Sequence, residues 1–279
     1  MELWYTEHHT ANVGLSLRIK KTIFSAKSQY QDVTVLDTVE FGRMLLLDGL
    51  VMTTERDEFM YHELIVHPAL FTHASPRKVL IIGGGDGGTV REVTSHTAVS
   101  DVVLCEIDPM VVDVSRQYLP SISCKLDDPR VSIVFTDGIE FVSQHRSEFD
   151  LIIVDSTDPI GPAKGLFELE FYRSCIDCLK EDGILVCQSE SPIYHLDIIA
   201  DMHQLLHKSG FPIVRFYYGI VPTYPGGMWS WVIASKKYDP LSDVDLDEIK
   251  KSNIKTRYYN SGVHNSIFNL PEFFSLALK

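Results

Sequence analysis

Apolar and polar positions change their spacing along this chain. From residue 15 to 50 they alternate in short steps, LSLRIKKTIF, QDVTVLDTV and GRMLLLDGLV, broken by the turn residues Gly42, Asp48 and Gly49. That period of two predicts a small antiparallel β unit. Over TTERDEFMYHELIVHPALF (53–71) the period lengthens. Threonines able to cap precede acids in a first turn, and Phe59, Met60, Leu64 and Ile65 follow at helical spacing, so a helix is predicted. The change puts a boundary near residues 52–56, between an N-terminal β-stranded domain (1–54) and a second domain (55–279).

Past that point apolar runs alternate with amphipathic stretches: VLII (79–82), VVLCEI (102–107), VSIVF (131–135), DLIIVD (150–155) and GILVCQ (183–188). Runs this apolar leave no face for water, which argues a parallel sheet covered on both sides by helices, a doubly wound α/β domain. PIVRFYYGIVPT and MWSWVIASKK then read as two strands with a short polar link, a hairpin closing one sheet edge. No internal repeat or low-complexity tract interrupts this plan.

The first apolar run opens into GGGDGG (83–88). A glycine-rich turn between strand and helix usually brings backbone N–H groups to a phosphate. Asp86 conflicts with that use, since a carboxylate about 4 Å from another anion costs on the order of 1 kcal/mol in water and about 4 at an effective dielectric near 20. The loop therefore suits a neutral or cationic ligand. Gly83, Gly85 and Gly88 match the GxGxxG spacing of dinucleotide-dependent oxidoreductases, but Asp86 among them would face the pyrophosphate. A nucleoside site of the methyltransferase type, with neutral adenosine and a cationic sulfonium, fits the charge better.

Composition points the same way. Across 279 residues, 25 Lys and Arg stand against 38 Asp and Glu, a formal charge of −13. Such a chain makes a poor partner for nucleic acid or anionic membrane and a good one for cationic small molecules. MELWYTEHHT has no basic and apolar leader pattern and no apolar run approaches a membrane span, so a cytoplasmic protein is expected. The five scattered cysteines suit a reducing compartment, and the lone CxxC of Cys175 and Cys178 lacks a second pair for zinc. HELIVH (62–67) is one residue too long for the HExxH motif, so its two rings point to different helix faces, and His203 with His207 reads as a solvated stripe. No metal site is expected.

Ligands of doubly wound sheets bind beyond the carboxyl ends of the strands. Four of the first five strands are followed there by an acid: Asp86, Glu106, Asp137 and Asp155, the last leading into Ser156, Thr157 and Asp158. Any single one is as readily a helix cap. Four together mark a site, and Glu106, roughly 20 residues past the glycine loop, stands where a carboxylate accepts both hydroxyls of a ribose.

GGGDGG, CEID (105–108), DG (137–138), DSTDPIGP (155–162), YHE (61–63), SQYQD (28–32), LLLDG (45–49) and VPTYPGG (221–227) together resemble the spermidine synthase family of polyamine aminopropyltransferases, in the same order and over nearly the whole chain. The resemblance implies a Rossmann-like, methyltransferase-type doubly wound sheet preceded by a small antiparallel β domain. It implies transfer of an aminopropyl group from decarboxylated S-adenosylmethionine, a co-substrate, to an amine such as putrescine, with 5′-methylthioadenosine released and no metal or other cofactor. On the donor side it implies Gln31, His62, Gly83, Gly85, Glu106, Asp137 and Gly138, with Pro162 in a loop that folds over the site. On the amine side it implies Tyr61, Asp86, Asp158 and Tyr224, Asp86 meeting the aminopropyl amine and the other three the acceptor, with Asp155 as catalytic base. Met52 stands where several relatives carry glutamine, and Trp229 and Trp231 enrich the same region, so putrescine, cadaverine, agmatine and spermidine all stay open as acceptors; at least one of the two tryptophans reads as plain core. A methyltransferase on the same fold and a non-catalytic polyamine or nucleoside binder are the alternatives. Asp86 speaks against the first, and the set Asp155, Asp158 and Tyr224 against the second. The β unit is too small to bury its own faces, and the resemblance implies that it pairs across a two-fold axis, so a homodimer or homotetramer is expected.

Overall fold

The computed structural model describes residues 2–159 and 161–279. Five strands, β1 (Leu3–Thr10), β2 (Val13–Lys27), β3 (Asp32–Thr38), β4 (Arg43–Leu47) and β5 (Leu50–Thr54), form an antiparallel meander in chain order. The sheet is thus longer at both ends than the alternating pattern of 15–50 predicts. In β1 only Glu7 is buried and its remaining residues are at least partly exposed, so no apolar period announces it. The threonines expected to cap the helix belong instead to β5; the helix α1 (Glu58–Thr72) has Asp57 at its N-cap, where Thr54 Oγ1 donates to Asp57 Oδ1 at 2.5 Å.

The second sheet holds seven strands: β6 (Lys78–Gly83), β7 (Asp101–Glu106), β8 (Val131–Phe135), β9 (Phe149–Asp155), β10 (Leu179–Gln188), β11 (Ile213–Ile220) and β12 (Met228–Ser235), in the order β11-β12-β10-β9-β6-β7-β8. From β10 to β8 the pairs are parallel, and β12 is antiparallel to both neighbours. The chain enters at β6, runs outward through β7 and β8, and returns to lay β9 on the other side of β6. The order therefore reverses between β6 and β9, where Gly83 pairs with Asp155. A crevice opens at the carboxyl end of such a reversal.

Alternate residues of one strand serve two cores. Val79 and Ile81 pack with Leu64, Ile65, Val90 and Val93 of α1 and α2 (Gly88–Ser95), whereas Leu80 and Ile82 pack with Phe171, Tyr172, Ile199 and Met202 of α5 (Leu169–Cys178) and α6 (Leu196–Ser209). Two dry faces account for the unbroken apolar runs. The edge strand β8 departs from this pattern, with Val134 and Phe135 exposed. The connections after β7 and β8 form α3 (Pro109–Tyr118) and α4 (Gly138–Ser143), and three short helices, α7 (Leu246–Lys251), α8 (Ser261–Ile267) and α9 (Glu272–Ala277), close the chain.

Helix α1 is buried nearly all round, and Pro68 lies within it. A proline has no N–H to give the carbonyl four residues back, here that of Leu64. The Tyr217 hydroxyl of β11 donates to that carbonyl at 2.8 Å instead. Replacing Tyr217 by Phe leaves a buried carbonyl without its donor, a loss of about 1–3 kcal/mol. Urea denaturation of Tyr217→Phe is expected to show that loss with an unchanged denaturant slope; an unchanged midpoint would mean the carbonyl has another partner.

Candidate active site

The crevice at the reversal point is a cleft of about 410 Å³, lined on one wall by Gln31 from the turn after β2 with Leu45 and Met52 of the N-terminal sheet, and on the other by the ends of β6, β7 and β9. The glycines of GGGDGG explain its shape. Gly83 and Gly84 have φ of +77° and +69°, a region a side chain enters only with strain. Contacts add a second requirement. A Cβ on Gly83 would sit 2.3 Å from the Asp155 carbonyl oxygen, one on Gly84 2.6 Å from Asp155 Oδ2, one on Gly85 2.7 Å from Glu106 Oε2, and one on Gly88 2.2 Å from the His62 ring. The loop is bare because the Asp155 backbone and the side chains of Asp155, Glu106 and His62 lie against it.

Asp155 ends β9 with both carboxylate oxygens engaged: Oδ1 accepts from the Tyr61 hydroxyl at 2.8 Å and Oδ2 from Thr89 Oγ1 at 2.6 Å. Burial, followed by the charge of Asp86, raises its proton affinity. Asp86 uses Oδ1 to accept the Gly88 N–H at 2.8 Å, a turn bond ahead of α2, whose N-cap is Gly87 and not the acid, while Oδ2 lies 3.3 Å from His62 Nε2. Asp137 caps α4, its Oδ1 accepting from Ile139 N at 2.7 Å, and lines the cleft with Gly138. Glu106 accepts from the N–H groups of Gly85 (3.1 Å) and Asp108 (2.9 Å), and burial pushes it up to about 7.

Gln31 reaches the cleft from the turn after β2. Its Nε2 donates to Asp108 Oδ2 at 3.0 Å, and Ser28 Oγ donates to the same oxygen at 2.7 Å. Asp108, a helix cap by its bond from Met110 N, thereby ties the turn after β2 to the start of α3. Tyr224 donates to the Met52 carbonyl at 2.5 Å and stacks edge-on against Trp229, with ring centroids 4.8 Å apart. Trp229 and Trp231 are both buried; Trp231 lies in the core against Tyr217, and Trp229 borders a narrow extension of the cleft, about 40 Å³, with Glu7, Asp158 and Gln188. The side chain of Pro162 lies outside the described residues, although the backbone of Gly161–Phe167 forms a 3₁₀ turn.

Sequence reasoning missed several residues at the site. Glu7 comes from β1, buried, with Val51 N donating to Oε2 at 2.7 Å, and burial raises it to about 7. Glu190 is buried at a φ of +73°, a strained conformation for a non-glycine residue, with Oε2 3.0 Å from His195 Nδ1. Burial and the Glu190 charge push Asp158 up to about 7. Glu58 was identifiable by its i, i+4 spacing to His62, whose Nδ1 it meets at 2.7 Å.

His62, Asp86 and Asp155 converge to within 4.8 Å, close enough to hold a cation. Both nitrogens of His62 are taken by carboxylates, however, so the ring presents no lone pair to a metal. His73, Asp150 and Asp182 form a second such group, but His73 Nδ1 accepts from Ser75 N, which leaves the proton on Nε2. His67 points away from His62, to His96 and Glu92. The five cysteines are free, with Cys175 and Cys178 buried in the core.

Comparison with known proteins gives a consistent set of matches. A family profile described as spermine/spermidine synthase domain matches residues 58–247, and one described as spermidine synthase tetramerisation domain matches residues 3–55. The polyamine aminopropyltransferase of Caldicellulosiruptor bescii is 54% identical over 279 residues, covering 100% of this chain and 99% of that protein. That of Methanocaldococcus jannaschii is 49% identical over 280 residues, covering 99% and 95%. Among solved structures, spermidine synthase in complex with the transition-state analogue AdoDATO superposes with a TM-score of 0.97 at 46% identity, covering 99% of this chain and 94% of that one.

The crowding at the glycine loop can be separated from its backbone conformation. Gly83 (φ +77°) and Gly227 (φ +68°) share the left-handed region, but only Gly83 is crowded; nothing lies within 4 Å of a Cβ on Gly227. Gly227→Ala should cost about 1–2 kcal/mol for conformation alone, and Gly83→Ala a further 1–3 or so for the overlap. Equal shifts of the two variants in urea denaturation would show that the loop has slack.

Proposed function

The chain belongs to the spermine/spermidine synthase family, and from that premise we propose that it transfers the aminopropyl group of decarboxylated S-adenosylmethionine to putrescine, giving spermidine and 5′-methylthioadenosine. One observation carries the reading: Asp48, Asp86, Glu106, Asp137, Asp155 and Asp158 line the cleft, and no Lys or Arg does among the described residues. Such a wall suits two cationic substrates and repels anions.

In this reading Glu106 accepts the ribose hydroxyls, Gln31 lies beside them, and Asp137 with Gly138 borders the adenine. Asp86 faces the aminopropyl ammonium of the donor. The extra carboxylate of S-adenosylmethionine would meet that fixed charge, so the donor is selected by repulsion. Tyr61, Asp158 and Tyr224 hold the acceptor. The narrowness of the extension beyond Tyr224, about 40 Å³ and bounded by Trp229, supports a short diamine over a longer polyamine.

The reaction is an in-line displacement. The acceptor nitrogen attacks the methylene carbon next to sulfur, the carbon–sulfur bond breaks, and its electron pair leaves on methylthioadenosine. Only the free amine attacks, and an alkylamine of pKa near 10.4 costs about 4–5 kcal/mol to deprotonate at neutral pH. The adjacent sulfonium disfavours a second cation and lowers that cost. Asp155, with its proton affinity raised by burial, takes the proton, while Tyr61 and Thr89 fix the direction of its oxygens. The donor is consumed as co-substrate, and the scheme uses no other cofactor. We place the enzyme in the cytoplasm as a homodimer or homotetramer; exposed Leu3, Trp4 and Val13 on the first hairpin supply apolar surface for association.

Two measurements test the reading. Incubation with decarboxylated S-adenosylmethionine and a panel of putrescine, cadaverine, agmatine and spermidine should yield spermidine as the main product by mass; another dominant adduct would reassign the acceptor, and none at all would remove the activity. Exchange of Asp155 for Asn should lower kcat at saturating amine by about 10² to 10⁴ with donor affinity changed far less. Turnover within a few-fold of wild type would reduce Asp155 to an anchor.

A further inference from the structure

A line of buried charge leads away from the cleft along α1 and α2. Arg91 grips Glu58 with two donors, at 3.1 Å to Oε1 and 2.8 Å to Oε2. Glu58 Oε2 lies 2.7 Å from His62 Nδ1, and His62 Nε2 lies 3.3 Å from Asp86 Oδ2. Arg91 also pairs with Glu92 at 2.7 Å, which His67 meets at 3.2 Å. Glu58, His62, Asp86 and Glu92 are each at most 8% exposed.

The proton count follows from the contacts. A neutral imidazole has one N–H and one lone pair, and a lone pair facing a buried carboxylate is repulsive. Both nitrogens of His62 face carboxylates, so the ring carries two protons. Burial favours protonation of Glu58, yet the bonds and charges of His62 and Arg91 outweigh it and hold Glu58 down to about 2. The ring has no room to turn aside, because it lies against Gly88, where even a Cβ would overlap it. Charges thus alternate from Arg91 through Glu58 and His62 to Asp86.

We propose that Glu58 and Arg91 are positioning residues of the transfer reaction, holding His62 as an imidazolium that keeps Asp86 anionic beside Asp155. This rests on the function proposed above and adds to it. Two carboxylates this close tend to share a proton, and a shared proton would occupy the base and cancel the charge that reads the donor. The imidazolium supplies the compensating charge from inside the protein, so both acids can be ionised when the substrates arrive. The groups facing the ring are Glu58 and Tyr61 from its own helix, Asp86 from the glycine loop and Asp155 from β9, with Arg91 of α2 behind Glu58.

The test reads the ring directly and the reaction separately. Nitrogen-15 shifts of the His62 ring in the whole enzyme, assigned with His62→Gln, should show both nitrogens protonated from pH 6 to 8. Glu58→Gln should leave the ring singly protonated at pH 8. Loss of that cation raises the proton affinity of the acids, so the acid limb of kcat/KM should move up by about one pH unit. Arg91→Lys, which keeps the charge behind Glu58, should retain the doubly protonated ring. A singly protonated ring at pH 7 in the wild type overturns the proposal, as does a Glu58→Gln enzyme with unchanged shifts and an unmoved limb. If Glu58→Gln does not fold, the wild-type titration decides alone. If the wild type transfers no aminopropyl group, the proposed function falls while the ring shifts still judge the relay.

Discussion

Asp86 and Asp155 project into one corner of the cleft, with His62 in contact and one side-chain nitrogen or oxygen of each of the three within 4.8 Å of the others. Two like charges about 4 Å apart repel by on the order of 4 kcal/mol at an effective dielectric near 20. Much of the surrounding structure answers that repulsion. Hydroxyls of Tyr61 and Thr89 donate to Asp155, the Gly88 amide donates to Asp86, and the His62 ring lies 3.3 Å from Asp86. Bare glycines let the acids come near, and the His62 ring lies against Asp86 from the protein side. In the proposed reaction a cationic substrate adds to the compensation that His62 supplies, which couples specificity to electrostatics.

The fold brings these groups together by topology. Reversal of strand order between β6 and β9 sets Gly83 against Asp155 across the sheet, so the glycine loop and Asp155 are neighbours although 72 residues of sequence separate them (155 − 83). The N-terminal sheet forms the opposite wall, joined by the bonds of Ser28 and Gln31 to Asp108 and of Tyr224 to the Met52 carbonyl. Tyr217 lets α1 pass through Pro68 without an orphaned carbonyl. That helix in turn carries Glu58, Tyr61 and His62 on one stretch.

What could be read from the sequence follows the same physics. The inner strands were legible because both faces of the sheet are dry, so each appears as an apolar run. Strand β1 was not, since its faces are largely exposed. The helix start was misjudged because Thr53 and Thr54 have the chemistry of caps and the geometry of a strand end. Asp86, Glu106, Asp137 and Asp155 stood out by position, each just beyond a strand. Glu7 and Glu190 did not: nothing local distinguishes a buried acid from a solvated one, and Glu7 finds its donor, Val51, on a strand far along the chain. A resemblance over nearly the whole chain implies roles that spacing alone leaves open, for His62 and Tyr224 above all.

The central claim is that a fixed, buried negative charge at Asp86 chooses the donor. Titration calorimetry of the wild type and of Asp86→Asn with decarboxylated S-adenosylmethionine and with S-adenosylmethionine tests it most directly. The account predicts that the wild type binds the decarboxylated donor much more tightly and that the ratio of the two affinities narrows in the variant by roughly ten-fold or more, one buried ion pair being worth upward of about 1.4 kcal/mol. An unchanged ratio would contradict it and leave Asp86 as the cap of its own loop.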